Sequence, residues 1–101
     1  MQKLLAFREK ILFEGHEIYA INCSRIYRSI LAHELSTLNG KEGRIEMAIV
    51  YYRYDGKVHC SLRSNGDVDV RTMAEKYGGG GHKNASSIRV DTFNDLPFTF
   101  L

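Results

Sequence analysis

The stretch "RIEMAIVYYRYDGKVHCSLRS", residues 44–64, constrains the fold of this chain more than any other. Two runs rich in β-branched and aromatic residues flank Asp55-Gly56, the pair suited to a two-residue type I′ turn, in which both central residues take positive φ. Such a turn leaves one register. Tyr54 faces Lys57, Tyr52 faces His59, Val50 faces Ser61 and Ala48 faces Arg63; between them Arg53 faces Val58, Tyr51 faces Cys60, Ile49 faces Leu62 and Met47 faces Ser64. Because side chains alternate between the two faces of a sheet, these pairs fall on opposite sides. Ile49, Tyr51, Val58, Cys60 and Leu62 form an apolar face fit for a core. The reverse carries His59, Ser61 and Arg63 beside the small Ala48, which leaves Arg63 room to project.

The segments around the hairpin predict a mixed α/β arrangement. Residues 2–12 hold good helix formers, yet "ILFEGHEIY" reads equally as two strands around Glu14-Gly15. "EIYAINCS" is a short strand ending at Ser24, a good N-cap. From Arg25 to Leu38, Ile26, Ile30, Leu31, Leu35 and Leu38 recur at helical spacing, with Asn39-Gly40 as the expected stop. Asp69 caps a second helix, whose buried stripe is Val70, Met73, Ala74 and Tyr77, and Gly78 sits where a left-handed helix-ending residue belongs. "HKNASS" is expected to form one short helical turn, and "SIRV" a closing strand ending at Val90. The tail "DTFNDLPFTFL" gives no clear assignment. The reading is α/β: a single domain with a mixed β-sheet of about four to five strands and flanking helices. Residues 1–14 are expected to be an N-terminal helix or linker, and 15–101 the domain proper.

Composition excludes several classes. At 101 residues there is room for one core, and 44% hydrophobic with 26% charged residues is globular rather than disordered. Apolar runs fall far short of the roughly 20 residues of a membrane span, and no signal-peptide pattern opens the chain, so a cytoplasmic location without membrane association is expected. Cys23 and Cys60 sit in apolar stretches, as buried reduced thiols do. The net charge of +2 permits phosphate or nucleic-acid binding without arguing for it.

"EKYGGGGHKNASS", residues 75–87, carries four consecutive glycines, each costly to order. Gly78 is explained by the helix end; Gly79, Gly80 and Gly81 are not. Bare backbone leading into a helix start lets successive N–H groups converge on an anion, and His82, Lys83 and Asn84 can add donors to it. The run is not a Walker A loop, since "HKN" follows it, nor a dinucleotide fingerprint, since a helix precedes it. Four histidines, His16, His33, His59 and His82, lie on separate elements without metal-ligand spacing, so neither a metal site nor a catalytic residue is assigned. Asp67 and Asp69 read as turn and cap, and Ser61 and Ser64 lack a base. Tyr52 and Tyr54 share the face of His59 and can stack on a ligand.

Together, "SLRSNGDVDVRTMAEKYGGGGHKNAS", residues 61–86, resembles the C-terminal DHHA1 domain of DHH-family phosphoesterases, which include RecJ-like exonucleases, nano-RNases, pAp phosphatases and cyclic-dinucleotide phosphodiesterases. The likeness extends upstream through "GHEIYAINCSRIYRSILAHEL". It implies that Arg63, Ser64, Gly79, Gly80, Gly81, His82 and, beside them, Asn84 hold the phosphate or terminal nucleotide of a substrate: single-stranded nucleic acid, a short oligonucleotide or a nucleotide. In that family, catalysis belongs to a separate DHH domain whose aspartates and histidines bind two manganese ions. The chain thus resembles a substrate-binding partner of a DHH domain, with no cofactor of its own. The alternatives are a small phosphodiester-processing enzyme using His82, or a structural or dimerisation domain. Ser86 and Ser87 replace an alanine and a glycine usual in the family.

Overall fold

The computed structural model describes residues 2–101, and its centre is the predicted hairpin. Strands β3 (Met47–Tyr54) and β4 (Lys57–Ser64) pair in the register expected from the turn, from Tyr54 opposite Lys57 to Met47 opposite Ser64. Asp55 and Gly56 have φ of 53° and 75°, as a type I′ turn requires. Around them the sheet has seven strands rather than four or five, in the order β5-β6-β4-β3-β2-β1-β7. The additional strands come from three segments: one that the sequence left open between helix and strands, and two, the tail and the glycines, that it did not show as strands.

The first is the N-terminal segment. Helix α1 covers only Gln2–Leu5, and Glu9–Phe13 forms strand β1, which turns at Glu14-Gly15 into β2 (His16–Asn22). Ile11 and Phe13 are fully buried, so this segment belongs to the same core and sheet as the rest. The second is the tail. Thr92 and Asp95 form a capping box around one 3-10 turn, Phe98 packs edge-on to Tyr51, and β7 (Thr99–Phe100) pairs with β1 at the far sheet edge. The third is the glycine segment. Gly80–His82 forms strand β5 and Ala85–Val90 forms β6, with Lys83-Asn84 as the turn between them, so the expected helical turn in "HKNASS" is an antiparallel hairpin.

Helix α2 (Arg28–Lys41) crosses from β2 to the parallel strand β3 and covers one face of the sheet. Residues Arg25–Tyr27 form a 3-10 turn ahead of it, so Ile26 lies outside the helix. Its buried side is Leu31, Ala32, Leu35, Ser36 and Asn39, while Ile26 and Ile30 are exposed, contrary to the expected stripe. Small residues on that side let the helix lie close to Ala48 and Val50. The opposite face carries the larger core: Ile11, Phe13, Ile49, Tyr51, Cys60 and Leu62, covered by the tail and by helix α3 (Val70–Glu75). Burial pushes the Cys60 thiol up to about 12, which keeps it protonated.

Asn39-Gly40 does not end α2. The Asn39 side chain reaches between β2 and β3 at the end of their pairing: its Oδ1 accepts from the Tyr19 N–H at 2.9 Å and its Nδ2 donates to the Met47 carbonyl at 2.7 Å. The helix runs two residues further, and Gly43, at φ 80°, takes the left-handed position. Asn39 is fully buried, so its loss leaves two backbone groups without partners. Asn39→Ala is expected to lower stability by about 2–4 kcal/mol. Urea unfolding measures this, and a loss below about 1 kcal/mol would show that water takes over both bonds.

Candidate phosphate-binding site

The alternation of β4 determines what reaches solvent. Val58, Cys60 and Leu62 are buried, while Lys57, His59, Ser61 and Arg63 point to the α2 side. Helix α2 covers the sheet as far as β4 but not β6 and β5, so their α2-side residues form an open shelf. The register assigns its rows. His82, Ala85 and Arg63 lie side by side; Gly80, Ser87 and Ser61 form the next row; Arg89 and His59 the next.

Arg63 projects onto this shelf as expected, and it is not without a partner. Its Nη2 donates to the Ser29 Oγ at 2.7 Å, which orients the guanidinium beside the first turn of α2. Arg28, Ser29, Arg63, Gly80 and Ser87 line a cleft of about 330 Å³ there. A second cleft of about 460 Å³, bounded by Lys57, Arg89 and Gly78–Gly80, lies beyond Ser87. No carboxylate lines either cleft, and among the described residues Arg28, Arg63 and Arg89 make no ion pair. Bare strand backbone, hydroxyls and cations together suit an anion. His82 is exposed on edge strand β5 opposite Ala85, outside the lining of both clefts, and its ring has no hydrogen-bond partner among the described residues.

Ser64 and Asn84 are brought together, but away from the shelf. Ser64 pairs with Met47 on the core side and is 2% exposed. Its hydroxyl donates to the Val68 carbonyl at 2.6 Å and accepts from Asn84 Nδ2 at 2.9 Å; the same amide lies 3.2 Å from the carbonyls of Gly66 and Val68. These two residues join the end of β4, the loop before α3 and the β5–β6 turn. Lys83 leans towards Asp67 at 3.5 Å, and Asp69 caps α3 by accepting from the Thr72 N–H at 3.1 Å. Tyr52 is buried and stacked on His59, with ring centroids 5.5 Å apart, and the Arg25 guanidinium covers Tyr54 at 4.1 Å. Both rings are thus already occupied within the protein.

The glycines separate into different tasks. Gly78, at φ 80°, and Gly79 close α3: the Gly78 N–H bonds the Glu75 carbonyl and the Gly79 N–H the Ala74 carbonyl, the paired bonds of a Schellman ending. A Cβ on Gly79 would collide with the Ser87 carbonyl oxygen. Gly81 has φ 144° and would place a Cβ 2.7 Å from Ser86 Cα. Gly80 has neither constraint: a Cβ there meets nothing within 4 Å. The expected glycine nest at a helix start is replaced by an edge strand, because no helix follows. Ser87 lies in regular strand β6 opposite Gly80, so the serine at this position fits without strain.

Glu14 anchors the far end of the glycine segment. Its carboxylate accepts from Lys76 Nζ at 2.8 Å and from the Tyr77 hydroxyl at 2.5 Å, and the Phe13 and Tyr77 rings lie 5.9 Å apart. These bonds, Lys76 first, hold the Glu14 carboxyl below the ordinary range, and the bond to Glu14 raises the Tyr77 phenol.

Reasoning from sequence missed Arg28, Ser29, Ser87 and Arg89. Ser87 and Arg89 alternate along β6 with the buried Ser86 and Ile88; the expected closing strand "SIRV" already held both, but the pairing of β6 with β4 and β5 that sets their row beside Arg63 was not legible. Among the described residues no group of three or more His, Cys, Asp or Glu is placed to hold a metal ion, and no helix is long and apolar enough to cross a membrane.

Residues 19–97 match the family described as the DHHA1 domain. A stretch of 53 residues, 52% of this chain, is 40% identical to the cyclic-di-AMP phosphodiesterase GdpP of Geobacillus thermodenitrificans (strain NG80-2). That match spans 8% of the relative's own length.

Two outcomes are expected. In urea melts, Gly79→Ala and Gly81→Ala each lose about 2 kcal/mol or more through collision and backbone strain, while Gly80→Ala is neutral or gains up to about 1 kcal/mol by restricting the unfolded chain. Equal losses at all three positions would refute this division. The depressed Glu14 pKa makes its bonds fully stabilising above its ordinary 4.5 and lost as pH falls through the folded value; the raised Tyr77 pKa makes its bond stabilising below its ordinary 10 and lost as pH rises through the folded value. Gly78 and Gly79 amide shifts, followed by NMR against pH, should therefore move at both ends of that window. In Glu14→Gln the acidic transition should vanish.

Proposed function

The chain belongs to the DHHA1 family, and from that premise we propose that it binds the phosphates of single-stranded nucleic acid or of a short nucleotide, presenting them to a DHH catalytic domain. Gly80 carries this reading. It is the one glycine of the run that the fold does not require, and it floors a cleft bounded by Arg63 and Arg28 with no carboxylate to compete. A bare position there lets a phosphate approach the strand backbone. Arg63, oriented by Ser29, supplies a planar donor fork, and His82 adds a donor from edge strand β5. Gly79 and Gly81 hold the strand in its close position, and Ser64 and Asn84 brace the β5–β6 turn from the core side. Bond breaking belongs to the metal ions of the catalytic domain, in the cytoplasm.

The reading is tested by titrating a short single-stranded oligonucleotide into the protein and following backbone amides. Gly80, Gly81 and His82 are expected to shift, and affinity is expected to fall as salt rises because phosphate contacts release counterions. Arg63→Ala and Gly80→Val should each weaken binding about tenfold or more, the second by filling the floor while leaving the melt intact. Unshifted amides at millimolar ligand would overturn the proposal. Turnover of a phosphodiester by the pure chain with added manganese, abolished by His82→Ala, would instead make this domain an enzyme.

A further inference from the structure

We infer that the Lys57–Arg89 cleft is a second phosphate subsite, so that one ligand bearing at least two phosphates lies across Gly80 and Ser87, from Arg63 on one side to Arg89 on the other. This inference rests on the phosphate-binding reading of the Arg63 cleft and adds the length and path of the ligand.

Three observations support it. Gly80 and Ser87 line both clefts, so the two are one groove crossing a low saddle of a glycine and a serine rather than two isolated hollows. Arg63 and Arg89 stand on neighbouring strands four register positions apart, since Arg63 faces Ala85; ordinary strand dimensions then separate their Cα atoms by about 14 Å. A single phosphate between them would be bound by one guanidinium or the other, whereas a phosphodiester chain can meet both. Finally, Arg89 and Lys57 line the same cleft, and two cations there repel when uncompensated. Asp91, bonded to Lys57, is their one carboxylate partner among the described residues, and it stands outside the groove lining.

The chemistry required is that of a linear oligonucleotide or a cyclic dinucleotide, both of which carry at least two phosphates. The floor is bare and the walls are cations and hydroxyls, so recognition is of backbone rather than base.

The test compares three probes on the intact chain: inorganic phosphate, a single-stranded hexanucleotide and a cyclic dinucleotide. The double variant Lys57→Ala/Arg89→Ala changes two exposed side chains. It is expected to weaken binding of at least one two-phosphate probe about tenfold and to leave inorganic phosphate within about twofold. For the hexanucleotide, the slope of log affinity against log salt should become shallower by about 0.7, the value for one phosphate on a single strand. Which of the two probes responds identifies the backbone that fits. Asp91→Asn, which removes the competing carboxylate, should tighten the responding probe two- to threefold; a weakened probe in this variant would overturn an electrostatic role. Unchanged affinity and slope in the double variant, or an equal loss for inorganic phosphate, overturns the second subsite while leaving the Arg63 site standing. Failure of the unmodified chain to bind any of the three probes overturns both.

Discussion

Strand β4 is the constraint on which the rest depends. It is paired on both sides, to β3 and to β6, so its register cannot slip without breaking two ladders. One set of alternate residues, Val58, Cys60 and Leu62, lies in the protein interior, and the other, Lys57, His59, Ser61 and Arg63, is directed to the α2 side. A shift by one residue would bury two or three cations and expose the core, an exchange far costlier than any local gain. The same pairing that secures the core thus fixes a row of basic and hydroxyl groups at strand spacing. Helix α2 stops short of β6 and β5, and this incomplete cover leaves the outer part of the row open to solvent.

The glycine run shows how one composition serves opposing demands. At Gly78 the demand is handedness, at Gly79 close approach of one backbone to another, and at Gly81 an extended conformation with positive φ. In these three places a side chain would damage the fold. At Gly80 it would not, and ordering a glycine in a strand costs about 0.5–1 kcal/mol relative to alanine. A residue that is locally suboptimal and structurally unnecessary points outward, to whatever approaches the strand. That is the physical reason for giving Gly80, rather than the run as a whole, the central place in the site.

Much of the centre was legible in the sequence because it is governed by short-range rules. Asp55-Gly56 determined the β3–β4 register pair by pair, Asp69 and Gly78 marked both ends of α3, and the place of Arg63 followed from strand alternation. The errors arose where tertiary contacts decide. Asn39 was read as a helix stop by propensity, yet its side chain is drawn into the gap between two parallel strands. Ile26 falls in a 3-10 turn before the helix, and Ile30 falls just outside the buried stripe of Leu31, Ala32, Leu35, Ser36 and Asn39, which small and polar residues complete. The β5–β6 hairpin was missed because two glycines make a poor strand in isolation. They hold one here by pairing with Ser86 and Ser87, while Ser86 Oγ bonds back to the His82 carbonyl at 2.7 Å. Ser64 and Asn84, expected beside the phosphate, instead bond to one another and to the loop beneath, away from the open face.

An edge strand of three residues, two of them glycine, is a weak element, so its position has to be imposed from outside. Two clamps do this from opposite ends. At the turn, Asn84 is bonded to Ser64, which is buried and itself fixed to Val68. At the start, the Schellman bonds of Gly78 and Gly79 tie the strand to α3, and Glu14 ties the last turn of α3 to the β1–β2 hairpin through Lys76 and Tyr77. The two clamps differ in kind. The first is shielded in the interior and rests on neutral hydrogen bonds; the second lies near the surface and depends on a carboxylate, an ammonium and a phenol, all sensitive to pH and salt. Local opening of the glycine segment should therefore begin at the Glu14 end and leave the turn at Asn84 in place. The Lys57–Arg89 cleft, which Gly78 and Gly79 help to line, lies beside the yielding end, while the Arg63 cleft lies beside the rigid one.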